Sequence, residues 1–441
     1  MRRFFRILKW CVLGLLAIVG IFLIVNGIRT VLASSRLAAR TEALRAAGQP
    51  TSLAELARPP IAPERNADTY LRRARNDVQA IESEVYSARD KLFEADQTAF
   101  EDGRPTPELM QTMRSALAAH PEAMPLIVEA SNCPDYDPQL DFQTDSHSFL
   151  DDLLEQVQYC RTPFRVCNFS VLVQLDEGHP EDAMQTCLAM FRLTRLCDRD
   201  PMIVSQLVCI AIRGVAAGDT NLVLRSGPLP QAAHAALEQE LALFDVPERV
   251  RQSLRSERAF GLQSFHDMAS GCTAGGRMAP AVRLTPWVKN DMCDYLDMMA
   301  EYIQNAALSY GEWNSATNRL SMRQVGPLTG LVLPALQQAH NAMTRIEAQF
   351  RSLRVLNALL AREQADDTAV PQLADLGLPA DVVTDPFNDK PLHLKKLPAG
   401  WLVYSVGTNL EDDGGDLTDN LDVGVGPPLA STTTDDEETP R

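Results

Sequence analysis

Basic residues are scarce in this chain. Lys and Arg number 41 against 58 Asp and Glu over 441 residues, a formal net charge of −17. A surface of that sign repels a phosphate backbone and forfeits the electrostatic attraction that nucleic-acid binding depends on, so nucleic acid is not an expected partner. None of the nine cysteines forms a Cys-x-x-Cys pair, which removes the usual zinc spacing. Signatures of catalysis are missing as well: no glycine-rich phosphate loop, no Gly-x-Ser-x-Gly elbow and no His-Glu-x-x-His occurs. The seven histidines are scattered. His147 near Asp145 and His266 beside Asp267 are close in sequence, but residues one or two apart on a helix do not face each other. These absences favour a protein that binds rather than one that catalyses.

Apolar residues are plentiful, at 45% of the chain, enough for a packed core and for two or three domains. From Trp10 to Ile28 run nineteen residues without a charge. At about 1.5 Å per residue they cross most of a ~30 Å hydrocarbon layer, which predicts one transmembrane helix in a lipid bilayer. A cleaved signal peptide ending at Val31-Leu32-Ala33 is the alternative, although its apolar region would run only about 7–15 residues. Arg2, Arg3, Arg6 and Lys9 on one flank balance Arg29, Arg36, Arg40 and Arg45 on the other. The short, densely charged tail 1–9 resists translocation, whereas a long domain crosses largely regardless of its charge. The expectation is therefore an inner-membrane, single-pass protein with its body outside the cytoplasm.

Beyond the span 10–28, proline and glycine punctuate the chain. A stalk over 29–63 contains a polar helix around Arg36 to Ala47 and a proline-rich connector from Leu56 to Pro63. The α-helical domain, 64–332, holds helical periodicity from about Phe149 to Gln174, then to Leu196, then to Arg225, with breaks at Gly178-His-Pro180 and Asp200-Pro201. The pair around Gly178 and Ala183 resembles a single tetratricopeptide hairpin, but no 34-residue period follows. The run from Met202 to Ile212 is nearly all apolar. Arg213 interrupts it too early for a span, so it reads as the buried central helix, with Leu207 in the core. Arg249, Arg251, Arg255 and Arg258 beside Glu257 read as a solvated face with local ion pairs. Trp287, Tyr302, Tyr310 and Trp313 read as core aromatics. Cys133, Cys160, Cys167, Cys187, Cys197, Cys209, Cys272 and Cys293 allow too many pairings for any to be deduced, and several sit in apolar helical patterns as buried thiols.

The third unit, 333–425, begins with a long helix to about Glu363. It continues as Thr384-Asp-Pro-Phe-Asn-Asp-Lys-Pro-Leu-His-Leu, Gly400-Trp-Leu-Val-Tyr-Ser-Val-Gly407 and Asn409-Leu-Glu-Asp-Asp-Gly-Gly415. This order of long helix, Asp-Pro-Phe turn, two strands and acidic glycine-rich loop resembles the C-terminal region of the major pseudopilins of type II secretion systems, over about residues 365–425. The loop itself places Asn409, Glu411, Asp412, Asp413, Asp416, Asp419 and Asp422 within fourteen residues, an oxygen-rich segment of the kind calcium prefers. Position 12 of an EF-hand reading would be Asn420, which rejects that motif. The resemblance implies calcium as cofactor, held by Asn409, Asp412, Asp413 and Asp416. The chain departs from pseudopilins at its start, where Met1 to Lys9 runs into the apolar span with no leader glycine and no guiding Glu, so processing and filament assembly do not transfer. Residues 426–441, with Asp435-Asp436-Glu437-Glu438, read as a solvated acidic tail.

The expected fold is mainly α: an N-terminal transmembrane helix, an extracytoplasmic α-hairpin or bundle domain and a small pseudopilin-like β-hairpin. The expected function is a membrane-anchored binding or scaffolding protein of a bacterial cell envelope with envelope protein partners. An accessory part of a secretion or pilus-like machine and an envelope enzyme with a pocket between residues 145 and 330 stand as alternatives.

Overall fold

The computed structural model describes residues 2–94, 98–101, 104–198, 202–244, 246–270, 286–306, 308–363, 372–418 and 421–427. In chain order its helices are α1 (Arg2–Ala46), α2 (Ala67–Glu94), α3 (Pro107–Ala119), α4 (Ala123–Ser131), α5 (Ser146–Asp176), α6 (Pro180–Cys197), α7 (Ile203–Arg225), α8 (Gln231–Leu241), α9 (Val246–Ser270), α10 (Trp287–Asn305), α11 (Tyr310–Ser321) and α12 (Pro327–Glu363). The strands are β1 (Phe100–Glu101), β2 (Arg104–Pro105), β3 (His393–Leu397), β4 (Gly400–Ser405) and β5 (Val423–Val425). The fold is mainly helical, as expected. Pro107 and Pro180 open their helices, where the missing N–H is no loss.

The apolar span and the polar helix after it form one helix, because nothing between Ile28 and Arg36 is a glycine or proline. The span is exposed along its length: Ile18 is 66% and Phe22 64% accessible. Within the segment read as a stalk, Ala33, Leu37 and Leu53 are buried, so the chain is packed against the body there.

α5, α6 and α7 pack as successive hairpins, and α7 also lies against α12. α7 is the central helix that its composition predicts, but Leu207 is 38% exposed. The buried row is Val208, Ile212 and Ala216 at helical spacing, and Leu207 sits one position off it. Arg213, which interrupts the apolar run, is itself buried, paired with Asp198 and with its guanidinium 4.8 Å from the centre of the Phe244 ring. α12 serves two cores. Leu336 and Met343 in its first half join residues of α9, α10 and α11, while Ile346, Phe350, Leu353 and Leu356 join the main core with α5 to α8.

The C-terminal sheet has three antiparallel strands in the order β3-β4-β5, one more than the sequence suggests. Leu394 pairs with Val403, and Val403 pairs with Val425 on its other side. β5 is only Val-Gly-Val, too short to announce itself. Gly424 is required there, since a Cβ would lie 2.2 Å from the Val403 carbonyl oxygen. Trp401, Val403 and Val425 pack into the main core, so the sheet is riveted to α12.

Candidate functional site

The Asp-Pro-Phe turn is a structural joint. The Asp385 carboxylate is fully buried and accepts from the Ser405 hydroxyl at 2.7 Å, the Val406 N–H at 3.0 Å and the Phe387 N–H at 2.8 Å. It thereby ties the turn to the end of β4, and Phe387 is delivered into a small cluster with Tyr310 and Val406.

Gly407, at φ 67°, starts the acidic loop. Asn409 Nδ2 donates to Asp413 at 2.7 Å. Asp412 accepts from the Gly414 N–H at 2.9 Å and from the Tyr404 hydroxyl at 3.1 Å, with His393 3.4 Å away. Those donors hold its carboxyl below the usual carboxylate range. Asp416 is lowered likewise by the hydroxyl and N–H of Thr418. Asp422, counted with the others in the sequence, has a different role: it is buried and accepts from the Gly415 N–H at 2.7 Å and the Asp413 N–H at 3.4 Å, which closes the loop. Asn409, Asp412, Asp413 and Asp416 thus share one loop, with their oxygens largely turned to its own N–H groups. Among the described residues no group of three or more His, Cys, Asp or Glu is arranged to hold a metal, and Asp419 and Asn420 lie outside them.

A different place gathers chemistry. Between α11, α12 and the Asp-Pro-Phe turn lies a cavity of about 300 Å³, lined by Tyr310, His340, Thr344, Glu347, Arg351 and Asp389 among others. The His340 ring stacks on Trp313, centroid to centroid 3.6 Å at 16°, and lies nearly parallel to Tyr310 at 6.1 Å. Neither of its ring nitrogens has a hydrogen-bond partner among the described residues. Burial pushes its pKa down to about 4, so the imidazole is neutral at physiological pH. An orphaned polar group of this kind costs about 1–3 kcal/mol. Around it the polar groups are satisfied: Tyr310 donates to Asn341 at 3.2 Å, and Arg351 pairs with Glu347 and donates to the Thr384 carbonyl at 2.7 Å.

Sequence reasoning missed His340. The available signal was its place on the apolar row of α12, one turn from Leu336 and one from Met343, both buried. The other histidine pairs have structural roles. Asp145 caps α5 by accepting from the N–H groups of His147 and Ser148, and Asp267 accepts from the Ser146 N–H at 2.8 Å. Of the four aromatics read as core, Tyr302, Tyr310 and Trp313 are buried, but Trp287 is 38% exposed. Of the arginine face, Arg251 pairs with Glu248 at 2.7 Å as a surface pair, while Arg258 is buried and donates to Gln49. Among the described residues Cys11, Cys133, Cys160, Cys167, Cys187, Cys209 and Cys293 are thiols outside any disulfide, with Cys160 3.1 Å from the Tyr136 hydroxyl; Cys272 lies outside the described residues.

No protein-family model, no curated protein and no solved structure matches this chain.

Proposed function

We propose that this chain is a membrane-anchored binding protein of a bacterial cell envelope, with its body outside the cytoplasm and a small ligand seated beside His340. The observation that carries the binding role is a neutral, unpartnered imidazole in the wall of a cavity of about 300 Å³. That volume is at the small end of ligand pockets, which characteristically combine apolar walls with a few convergent polar groups. The anchor is supported by the exposed apolar surface of α1.

The chemistry of the walls limits the ligand. Both His340 ring nitrogens are closed off, so a ligand would meet them only as the ring turns into the cavity; the neutral imidazole then offers one N–H and one lone pair, which suits an uncharged amide or hydroxyl rather than an ion. The Tyr310 ring in the wall suits a planar apolar body, and Trp313, stacked behind His340, would report its arrival. The Arg351 guanidinium is already engaged by Glu347 and by the Thr384 carbonyl, which leaves little to attract an anion. A small planar amide meets these conditions, and benzamide is a practical probe. Titrated into the full chain in detergent, it should perturb the emission of Trp313 saturably. His340→Leu should weaken binding about tenfold, the loss of roughly one hydrogen bond, without lowering the melting temperature. Unsaturable titration, or equal binding by the variant, removes the ligand role from this cavity.

A further inference from the structure

The structure places the beginning of α10 at the depth where the exposed apolar surface of α1 ends. The Lys289 ammonium donates to the Ser34 hydroxyl at 2.6 Å, and two turns on Arg40 makes two 2.7 Å bonds to Asp297. Both numbers rise together, so α10 runs beside α1 in the same direction with its N-terminus towards the apolar span. Trp287 is two residues before Lys289 and therefore stands about level with Leu32, two residues before Ser34. On α1 that is where exposure on every face ends: Val31 is 69% and Leu32 50% accessible, while Ala33 is 1%, and from there one face, with Leu37, is buried as the others stay exposed.

From Trp10 to Leu32 a helix rises about 33 Å. A hydrocarbon layer is about 30 Å thick, so a bilayer surrounding α1 would have its second boundary close to Leu32 and Trp287. The four tryptophans divide accordingly. Trp10 and Trp287 are exposed, at 71% and 38%, whereas Trp313 and Trp401 are buried inside the body at 1% and 4%. Tryptophan concentrates at both faces of a bilayer because its ring is apolar and its N–H is polar. Charge agrees with this placement. In a chain of net charge −17, no acidic residue precedes Glu42, and Arg29, Arg36 and Lys289 surround this level.

We infer that Trp287, with Lys289 and the flanking arginines, docks on phospholipid headgroups and holds the body against the bilayer. Body and anchor then move as one piece. This inference rests on α1 being a membrane anchor, and its test separates the two ideas. The full chain is reconstituted into phosphatidylcholine and phosphatidylglycerol vesicles, with or without phosphatidylcholine brominated near the headgroup end of its acyl chains. In the Trp10→Phe chain the bromolipid should reduce emission, and adding Trp287→Phe should abolish that reduction. Quenching of the parent chain without quenching of Trp10→Phe leaves the anchor intact and overturns the docking. Quenching of neither overturns both.

Discussion

Two buried titratable side chains pull the pH dependence of stability in opposite directions. Burial pushes Asp219 up from 3.8 to about 7, with one oxygen accepting from Asn168 at 2.6 Å and the other unpartnered. A raised carboxyl means that the folded chain holds its proton more tightly than the unfolded chain, so this contribution is lost as the pH rises from about 4 to about 7. His340 is lowered from 6.5 to about 4, so the unfolded chain takes up the proton first and stability is lost as the pH falls through that window. Asp219→Asn should therefore gain stability relative to the parent as the pH rises from about 4 to 7 and keep the gain above it. His340→Leu should gain as the pH falls from about 6.5 to 4. Each difference is at most a few kcal/mol, since one pKa unit is about 1.4 kcal/mol. Melting curves of the detergent-solubilised chain across this range check both, and flat differences would show that burial does not set these protonation states.

At the scale of elements, the faces of α7 and the closure of the hairpin are separately testable. Ile212 is 4% exposed and Leu207 38%. Ile212→Ala should cost about 2–5 kcal/mol through the cavity that it leaves. Leu207→Ala should cost no more than about 1 kcal/mol. An equal loss of melting temperature in the two variants would mean that α7 is turned differently on its axis. In the sheet, Asp385→Ala strands the Ser405 hydroxyl and the N–H groups of Phe387 and Val406, at a cost on the order of 3 kcal/mol. Proteolysis should then open the segment from Asp385 to Val406 well before the helical body, and retained resistance would deny Asp385 its role as the joint. The same assay addresses the acidic loop. A gain in resistance with millimolar calcium that Asp412→Asn with Asp413→Asn abolishes would establish the calcium site implied by the pseudopilin resemblance, and identical cleavage with chelator would exclude it.

At the scale of the molecule, the decisive property is where the body stands. The proposed orientation, with the body outside the cytoplasm, can be tested directly. Alkaline phosphatase fused after Arg441 should be active, and the chain should stay in the membrane pellet after a carbonate wash. An inactive fusion reverses the orientation, and a soluble product starting near Ser34 makes the first part of α1 a signal peptide. The packing of Ala33 and Leu37 on the body makes α1 part of the folded core. Replacing Leu37 with Asp should loosen the cluster around α10 and lower the melting temperature.

Much of this was legible in one dimension because the signals are local. The apolar run of α1, the Gly178-His-Pro180 break between α5 and α6, the long α12 and the first two strands of the sheet follow from neighbours a few residues apart. Leu207, His340, Asp422 and β5 did not, for a common reason. Whether Leu207 is buried depends on how α7 turns towards its partners, and whether Asp422 binds a cation or closes a loop depends on the N–H groups of Asp413 and Gly415 reaching it. β5 exists because β4 offers it an edge. His340 became a candidate only when α11 laid Trp313 across it. Sequence alone determined most of the helix-forming segments, though not where they join, and which end carries the apolar span. Tertiary packing decided which side chains meet, because burial and pairing are set by surfaces brought together from distant parts of the chain.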